Sequence, residues 1–175
     1  MKDNGKDILS KIFLDYYDDL IRFAKRFEQD EDLIKDLIQD LFLKLWKGNQ
    51  LQEENANIKA YLFKSLRNIW INQIRKKRIN TEFSDNLEET FIYQNEDFSA
   101  NEEIDERRKK TLLDVLNQLP EKQRESIYLK YFQGFDIEEI AEILNMNRQS
   151  VRNNLYRAMT KLRENMILHI FLSLL

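Results

Sequence analysis

The chain contains no cysteine and a single histidine, His169. Without thiols there is no disulfide framework, no thiolate zinc site and no cysteine nucleophile, which fits a reducing, cytoplasmic setting. One imidazole leaves no material for a His-based metal centre or a serine-histidine-aspartate triad, so neither a metal nor a cofactor is expected. Glycine and proline are nearly as scarce, at three and one in 175 residues. Strand ends and tight hairpins draw on those residues, so an all-α fold is predicted. The opening stretch MKDNGKDILSKIF lacks the apolar run of a signal peptide. No stretch approaches the roughly 20 apolar residues that cross a bilayer, so no membrane insertion is expected. What remains is 42% hydrophobic and 34% charged, a globular balance. The net charge of −3 argues against a free-standing nonspecific binder of nucleic acid, but the charge is unevenly spread.

From Asp7 to Arg78 the pattern is helical. Ile12, Phe13, Tyr16, Tyr17, Leu20, Phe23 and Ala24 recur at helical spacing and form one apolar face. After the polar turn EQDED, the stretch Leu33–Trp46 repeats the pattern with Leu37, Leu41, Phe42 and Leu45. Asp30 is placed to cap that helix, without the Glu that would complete a capping box. Lys47–Asn57 reads as a loop, and Ile58–Arg78 as a helix ending in a basic run. Ile79–Glu106 differs: it holds ten Asp or Glu and no Lys or Arg, the composition of an acidic, solvated linker. Phe91, Ile92, Tyr93 and Phe98 stand out in it, and two readings stay open for them, docking or transient contact. The division predicted is therefore residues 1–78, a linker at 79–108, a second helical domain at 109–165 and an apolar tail at 166–175.

In the second domain Leu119-Pro120-Glu121 reads as one helix ending and proline opening the next. Asp136 with Glu139 has capping-box spacing for a short helix through Leu144. Asn145-Met146-Asn147 is the turn, and Asn147 caps a longer helix, Arg148–Leu162. Val151, Leu155, Ala158 and Leu162 form one side of that helix and should pack on Ile140, Ala141 and Leu144. Arg148, Gln149, Arg152, Asn153, Tyr156 and Arg157 form the other, and Lys161 extends it. Arg148–Arg163 carries five cations and no acid. A helix fits the major groove, where Arg pairs with guanine and Gln or Asn with adenine edges. The short helix, turn and longer helix together favour DNA reading over a merely solvated basic face.

The motifs LPEKQR (Leu119–Arg124), DIEEIAEIL (Asp136–Leu144), Ser150-Val151-Arg152, Tyr156-Arg157-Ala158 and Lys161-Leu162-Arg163 resemble domain 4 of extracytoplasmic-function (ECF) sigma factors of the sigma-70 family. DLIQDLFLKLW (Asp36–Trp46) is similar to the polymerase-binding helix of their domain 2, and Ala60–Phe63 with Arg67-Asn68 and Arg75–Arg78 to their promoter-melting, minus-ten helix. The resemblance implies a transcription initiation factor, not an enzyme, partnered by core RNA polymerase (its β′ clamp helices and β flap) and promoter DNA. It implies that Asp36, Gln39, Asp40 and Lys44 face the clamp, with Leu37, Leu41, Leu45 and Trp46 assigned to core. It implies that Asn68 captures an unstacked base, with Tyr61, Lys64 and Arg67 beside it, and that Arg75, Lys76, Lys77 and Arg78 lie on phosphates. Of Tyr61, Phe63 and Trp70, at most one is expected to touch DNA. The loop Gly48–Asn57 corresponds to the family's base-capturing loop. Arg148, Gln149, Arg152, Asn153, Tyr156, Arg157 and Lys161 are the implied minus-thirty-five contacts. An anti-sigma protein or another recruiting partner is implied as well.

The sequence departs from the family at several points. Asn145 stands where glycine is frequent, and Asn tolerates the left-handed backbone. Asn153-Asn154 replaces a common Ser-Arg pair, and Asn72 a common Asp. Met166–Leu175 is almost wholly apolar and lies outside the pattern; it either covers apolar surface on domain 4 or binds a partner. Two other classes are weighed. A helix-turn-helix regulator that never joins polymerase would bind DNA alone, often as a dimer, and the acidic charge speaks against it. A hydrolase using Asp36, Asp40 and Glu139 would lack His, Cys and a glycine-rich loop.

Overall fold

The computed structural model describes residues 2–47, 57–80, 91–94 and 106–172, with side chains at 5–47, 57–76, 91–94 and 109–165. The chain divides into two units, Met1–Glu89 and Thr90–Leu175. Every regular element among the described residues is helical.

Unit 1 consists of α1 (Lys2–Ala24), α2 (Glu31–Lys47) and α3 (Ile58–Asn80). Helix α1 starts well before Asp7, because an apolar period cannot report a first turn that is wholly polar. Asp30 caps α2 as predicted: its Oδ1 accepts from the backbone N–H of Asp32 at 3.0 Å and of Leu33 at 3.2 Å. Each helix contributes one stripe to a common core, including Leu20 and Phe23, then Leu37 and Leu41, then Leu62 and Leu66, all at most 1% exposed. Aromatic rings knit it: Phe23 lies 4.7 Å from Phe63, and Phe27 4.4 Å from Trp70. Trp46 is the exception to the predicted core. It is 43% exposed, because the stripe ends at Leu45 and the next residue projects about 100° round the helix. Arg26 shows the opposite behaviour, buried at the α1 terminus with its Nε donating to the Arg22 carbonyl at 2.9 Å. The loop predicted at Lys47–Asn57, including the proposed base-capturing segment, lies outside the described residues except at its ends.

Unit 2 runs through α4 (Glu106–Asn117), α5 (Glu121–Ile127), a π-helical turn (Tyr128–Phe132), α6 (Ile137–Leu144) and α7 (Arg148–Leu172). Pro120 precedes α5 as its cap, one position earlier than predicted. The Asp136–Glu139 capping box is complete: Glu139 N–H donates to Asp136 at 2.8 Å, and Asp136 N–H donates to the Glu139 carboxylate at 2.7 Å. Asp136→Ala is expected to lower unit 2 stability by about 1–2 kcal/mol in urea unfolding, the usual size of a lost cap. Asn145 takes the left-handed conformation at φ 52°, as its place in the turn required. Gly134 at φ 76° does the same after the π-helical turn.

Two further boundaries differ from those predicted. Helix α7 does not stop at Leu162; it continues without a break to Leu172, so most of the apolar tail is backbone-helical. The acidic stretch is not one linker either. Phe91 and Tyr93 are buried at 0% and 2% in unit 2, while Ile92 between them is exposed, the alternation of an extended strand. Their rings pack on Tyr128 and Phe132 at 5.3–6.0 Å. Phe98 lies outside the described residues.

Candidate functional site

The helix-turn-helix is built from its turn outward. Met146 N–H returns to the Ala141 carbonyl at 2.8 Å, and Asn147 Oδ1 accepts from Ser150 N–H at 2.7 Å, capping α7. Val151 and Ala158 are fully buried and Leu162 nearly so, against an α6 face that buries Ile140, Ala141 and Leu144. Leu155 is only half-buried. That packing leaves Arg148, Gln149, Arg152, Asn153, Tyr156 and Arg157 exposed together, with Tyr156 at 74%. Gln149 Nε2 donates to Asn153 Oδ1 at 3.1 Å, so one amide pair stands in the middle of the strip. Arg148 pairs with Glu138 of α6 at 3.4 Å, an exposed bridge of little worth in water. Lys161 is separated from the strip: it is half-buried and its Nζ donates to the Gln118 carbonyl at 3.1 Å, tying α7 to the end of α4. Its ammonium satisfies a helix-end carbonyl, a demand invisible in the α7 sequence.

In unit 1, α2 turns Asp36, Gln39, Asp40 and Lys44 to solvent, opposite the buried Leu37, Ile38, Leu41 and Leu45. Asp36, Gln39 and Asp40 stand at i, i+3 and i+4, one short acidic row. On α3, Asn68, Arg75 and Lys76 are exposed and Lys64 is half-buried. Tyr61 is 40% exposed, whereas Phe63 and Trp70 are 0% and 3%, so Tyr61 alone of these three presents its ring. Arg67 departs from its predicted place beside Asn68. It is 4% exposed, because it follows Phe63 by four residues and precedes Trp70 by three, on the buried face. The side chains of Lys77 and Arg78 lie outside those described.

One feature had no counterpart in the sequence reading. Phe13 and Tyr17 of α1 with Phe42, Leu43 and Trp46 of α2 line an apolar cleft of about 470 Å3, with Gln39 and Lys35 on its rim. Asp32 hydrogen-bonds Lys35 at 3.1 Å and raises its pKa by stabilising the charged ammonium. Phe13, which its spacing places on the apolar face of α1, is 38% exposed instead, and Leu43 is exposed on α2, so the buried stripes leave both over.

A capped helix-turn-helix carrying an exposed basic strip defines unit 2 as a DNA-binding module of the helix-turn-helix class. Comparison with known proteins carries this further. The pattern of Sigma-70 region 2 matches residues 12–79, and that of Sigma-70 region 4 matches residues 109–162. SigM of Bacillus subtilis, an ECF RNA polymerase sigma factor, is 26% identical over 155 residues, 89% of this chain and 93% of its own. YlaC of the same organism, an RNA polymerase sigma factor, is 29% identical over 165 residues, covering 92% and 93%. The sigma factor RpoE of Bartonella quintana, solved in complex with the anti-sigma factor NepR, superposes with a TM-score of 0.65 at 27% identity, over 90% of this chain and 95% of that one. The chain belongs to the sigma-70 family of RNA polymerase sigma factors, as a member of the ECF type. It is a transcription initiation factor that joins core RNA polymerase and directs it to promoter DNA. Among the described residues no helix is long and apolar enough to cross a membrane.

Proposed function

We propose that the two units divide the work, with unit 1 docking on polymerase and opening the minus-ten element and unit 2 reading the minus-thirty-five element. The observation that carries the assignment is the acidic row of α2, exposed on a helix whose opposite side is the core of unit 1. Asp36, Gln39, Asp40 and Lys44 form the surface for the β′ clamp helices. On α3, Asn68 takes the unstacked base, Tyr61 supplies a stacking ring, and Lys64, Arg75 and Lys76, with Lys77 and Arg78, follow the backbone. Covalent chemistry is left to the polymerase, and the protein acts in the cytoplasm. Run-off transcription with the cognate core enzyme tests the whole reading: a promoter-specific product is expected, and its absence together with absent core binding would refute it.

In the recognition helix the joined amides leave Gln149 Oε1 as an acceptor and Asn153 Nδ2 as a donor. That pair complements N6–H and N7 of adenine in the major groove. Asn153→Ala is expected to relax the preference at one A·T pair by about 1–3 kcal/mol in competition binding by the holoenzyme. Arg157→Ala, by contrast, is expected to weaken binding to all sequences alike and to lower the salt slope by about 1, as loss of one phosphate contact does.

A regulatory partner also fits this surface. The Bartonella quintana sigma factor was solved with an anti-sigma protein, and the apolar cleft of unit 1 shares Gln39 with the acidic row. A protein seated in that cleft would compete with polymerase, so core enzyme should displace it in a pull-down.

A further inference from the structure

The exposed strip of α7 carries Arg148, Arg152 and Arg157, and these cations differ in what holds them. Among the described residues Arg152 and Arg157 form no ion pair, whereas Arg148 Nη1 lies 3.4 Å from Glu138 Oε1. Asp136, Glu138 and Glu139 stand together at the start of α6, and two of them are committed locally. The carboxylates of Asp136 and Glu139 close the capping box on each other's backbone N–H. Glu138 takes no part in the box and reaches the first residue of α7 instead. The pair thus bridges the first turns of the two helices of the motif. Both side chains are accessible, at 65% for Arg148 and 46% for Glu138. Their separation exceeds the roughly 2.7–2.9 Å of a tight charge-assisted bond, so another oxyanion can take the place of the carboxylate.

We propose that Glu138 withholds Arg148 from the DNA backbone, standing in for a phosphate, and so sets how tightly unit 2 holds DNA of any sequence. The inference rests on unit 2 reading promoter DNA, and Glu138 acts through Arg148 as a positioning residue. Carboxylate and phosphate both offer a guanidinium paired oxygens, so the two compete for Arg148. The N-terminal part of the second helix is what a helix-turn-helix lays in the groove, where phosphates are near. While Glu138 holds Arg148, the pair has no net charge and adds nothing to the count of neutralised phosphates. A released Arg148 adds one contact, worth about 0.9 in the slope of log affinity against log salt. Phosphates carry no sequence information, so that contact strengthens binding to promoter and other DNA alike. Exposed ion pairs contribute little to folding, so removing Glu138 leaves the motif intact.

The test measures binding of the holoenzyme to a promoter fragment and to a scrambled fragment of the same length, between about 0.05 and 0.2 M salt. Glu138→Gln, Arg148→Ala and the double variant are compared with wild type. Glu138→Gln should tighten binding to both fragments by about eightfold at about 0.1 M salt, the factor that a slope of 0.9 makes over one decade. The gain should be about 3.5 times larger at the low end of the salt range than at the high end. In the Arg148→Ala background the same substitution should change affinity by less than about twofold, because no guanidinium is left to release. A mere loss of stability would weaken binding and leave the slope alone. An equal gain in both backgrounds would overturn the inference, since the Glu138 charge would then repel DNA directly. No gain, or a loss, in the wild-type background would overturn it too. Arg157→Ala reports on the underlying reading. If it lowers the slope by about 1 while Glu138→Gln changes nothing, only the role of Glu138 falls. If its slope also stays that of wild type, the strip lies off the DNA and the reading of unit 2 falls with it.

Discussion

Reversing the charge of the α2 row, Asp36→Arg with Asp40→Arg, is expected to abolish assembly with core polymerase while unit 1 stays folded. Both carboxylates are exposed and carry no part of the core, which lies on the Leu37, Leu41 and Leu45 side. Surface substitutions of this kind usually change stability by no more than about 0.5 kcal/mol. At an interface, each attractive pair becomes a repulsive one, and like charges brought together cost several kcal/mol. The affinity for core enzyme should fall by at least about a hundredfold, since about 1.4 kcal/mol is a factor of ten. Competition for core against a labelled wild-type protein measures the fall, and circular dichroism of the variant checks the fold. An unchanged affinity would place the polymerase contact elsewhere.

The second large effect concerns stability. Tyr128 is 1% exposed and lies at the centre of an aromatic cluster, 5.3 Å from Phe91, 6.0 Å from Tyr93 and stacked on Phe132 at 5.6 Å. Its hydroxyl accepts from Gln133 Nε2 at 3.1 Å, at the end of the π-helical turn. Tyr128→Ala removes a large buried ring and should cost about 3–5 kcal/mol, a large share of the roughly 5–15 kcal/mol that stabilises a domain. Tyr128→Phe keeps the ring and loses one hydrogen bond, for about 1 kcal/mol. Urea unfolding followed by tyrosine and tryptophan signals separates the two: both tryptophans, Trp46 and Trp70, belong to unit 1 and should report no change. A Tyr128→Ala protein as stable as Tyr128→Phe would show that the cluster does not hold the Phe91–Tyr93 segment.

How far the sequence could be read depended on the range of the interactions involved. Helices α2 and α6 and the start of α7 were legible because apolar period and caps are local: Asp30, Asp136, Asn145 and Asn147 each act within a few residues. The recognition strip was legible for the same reason, since packing one side of α7 on α6 defines the other. The resemblance places Arg67 beside Asn68, whereas its spacing from Phe63 and Trp70 puts it on the buried face of α3, where it lies. The contact of Lys161 was not legible, and for Phe91 and Tyr93 docking was one of two open readings, without the place where they dock. The partner of Lys161 lies 43 residues away and that of Tyr93, the Asn117 amide, lies 24 away, and both contacts join a side chain to a main-chain group. Such bonds leave no pattern in either stretch of sequence. The ten acids of the stretch give it the composition of a linker, and the aromatics that stand out in it carry no period that would choose between docking and transient contact.

The continuity of α7 has a mechanical consequence. A helix of 25 residues is about 37 Å long, and it bends far less readily than a loop of that length. Its first turns carry the exposed basic strip and its last turns carry the apolar stretch beginning at Met166, with no break in the helix between them. The helix therefore joins the two ends without a hinge, and the contacts it makes with α4, α5 and α6 hold it in place between them. The apolar stretch beginning at Met166 is thus fixed in rotation and distance relative to the exposed strip of the first turns, more than two helical turns beyond Arg157.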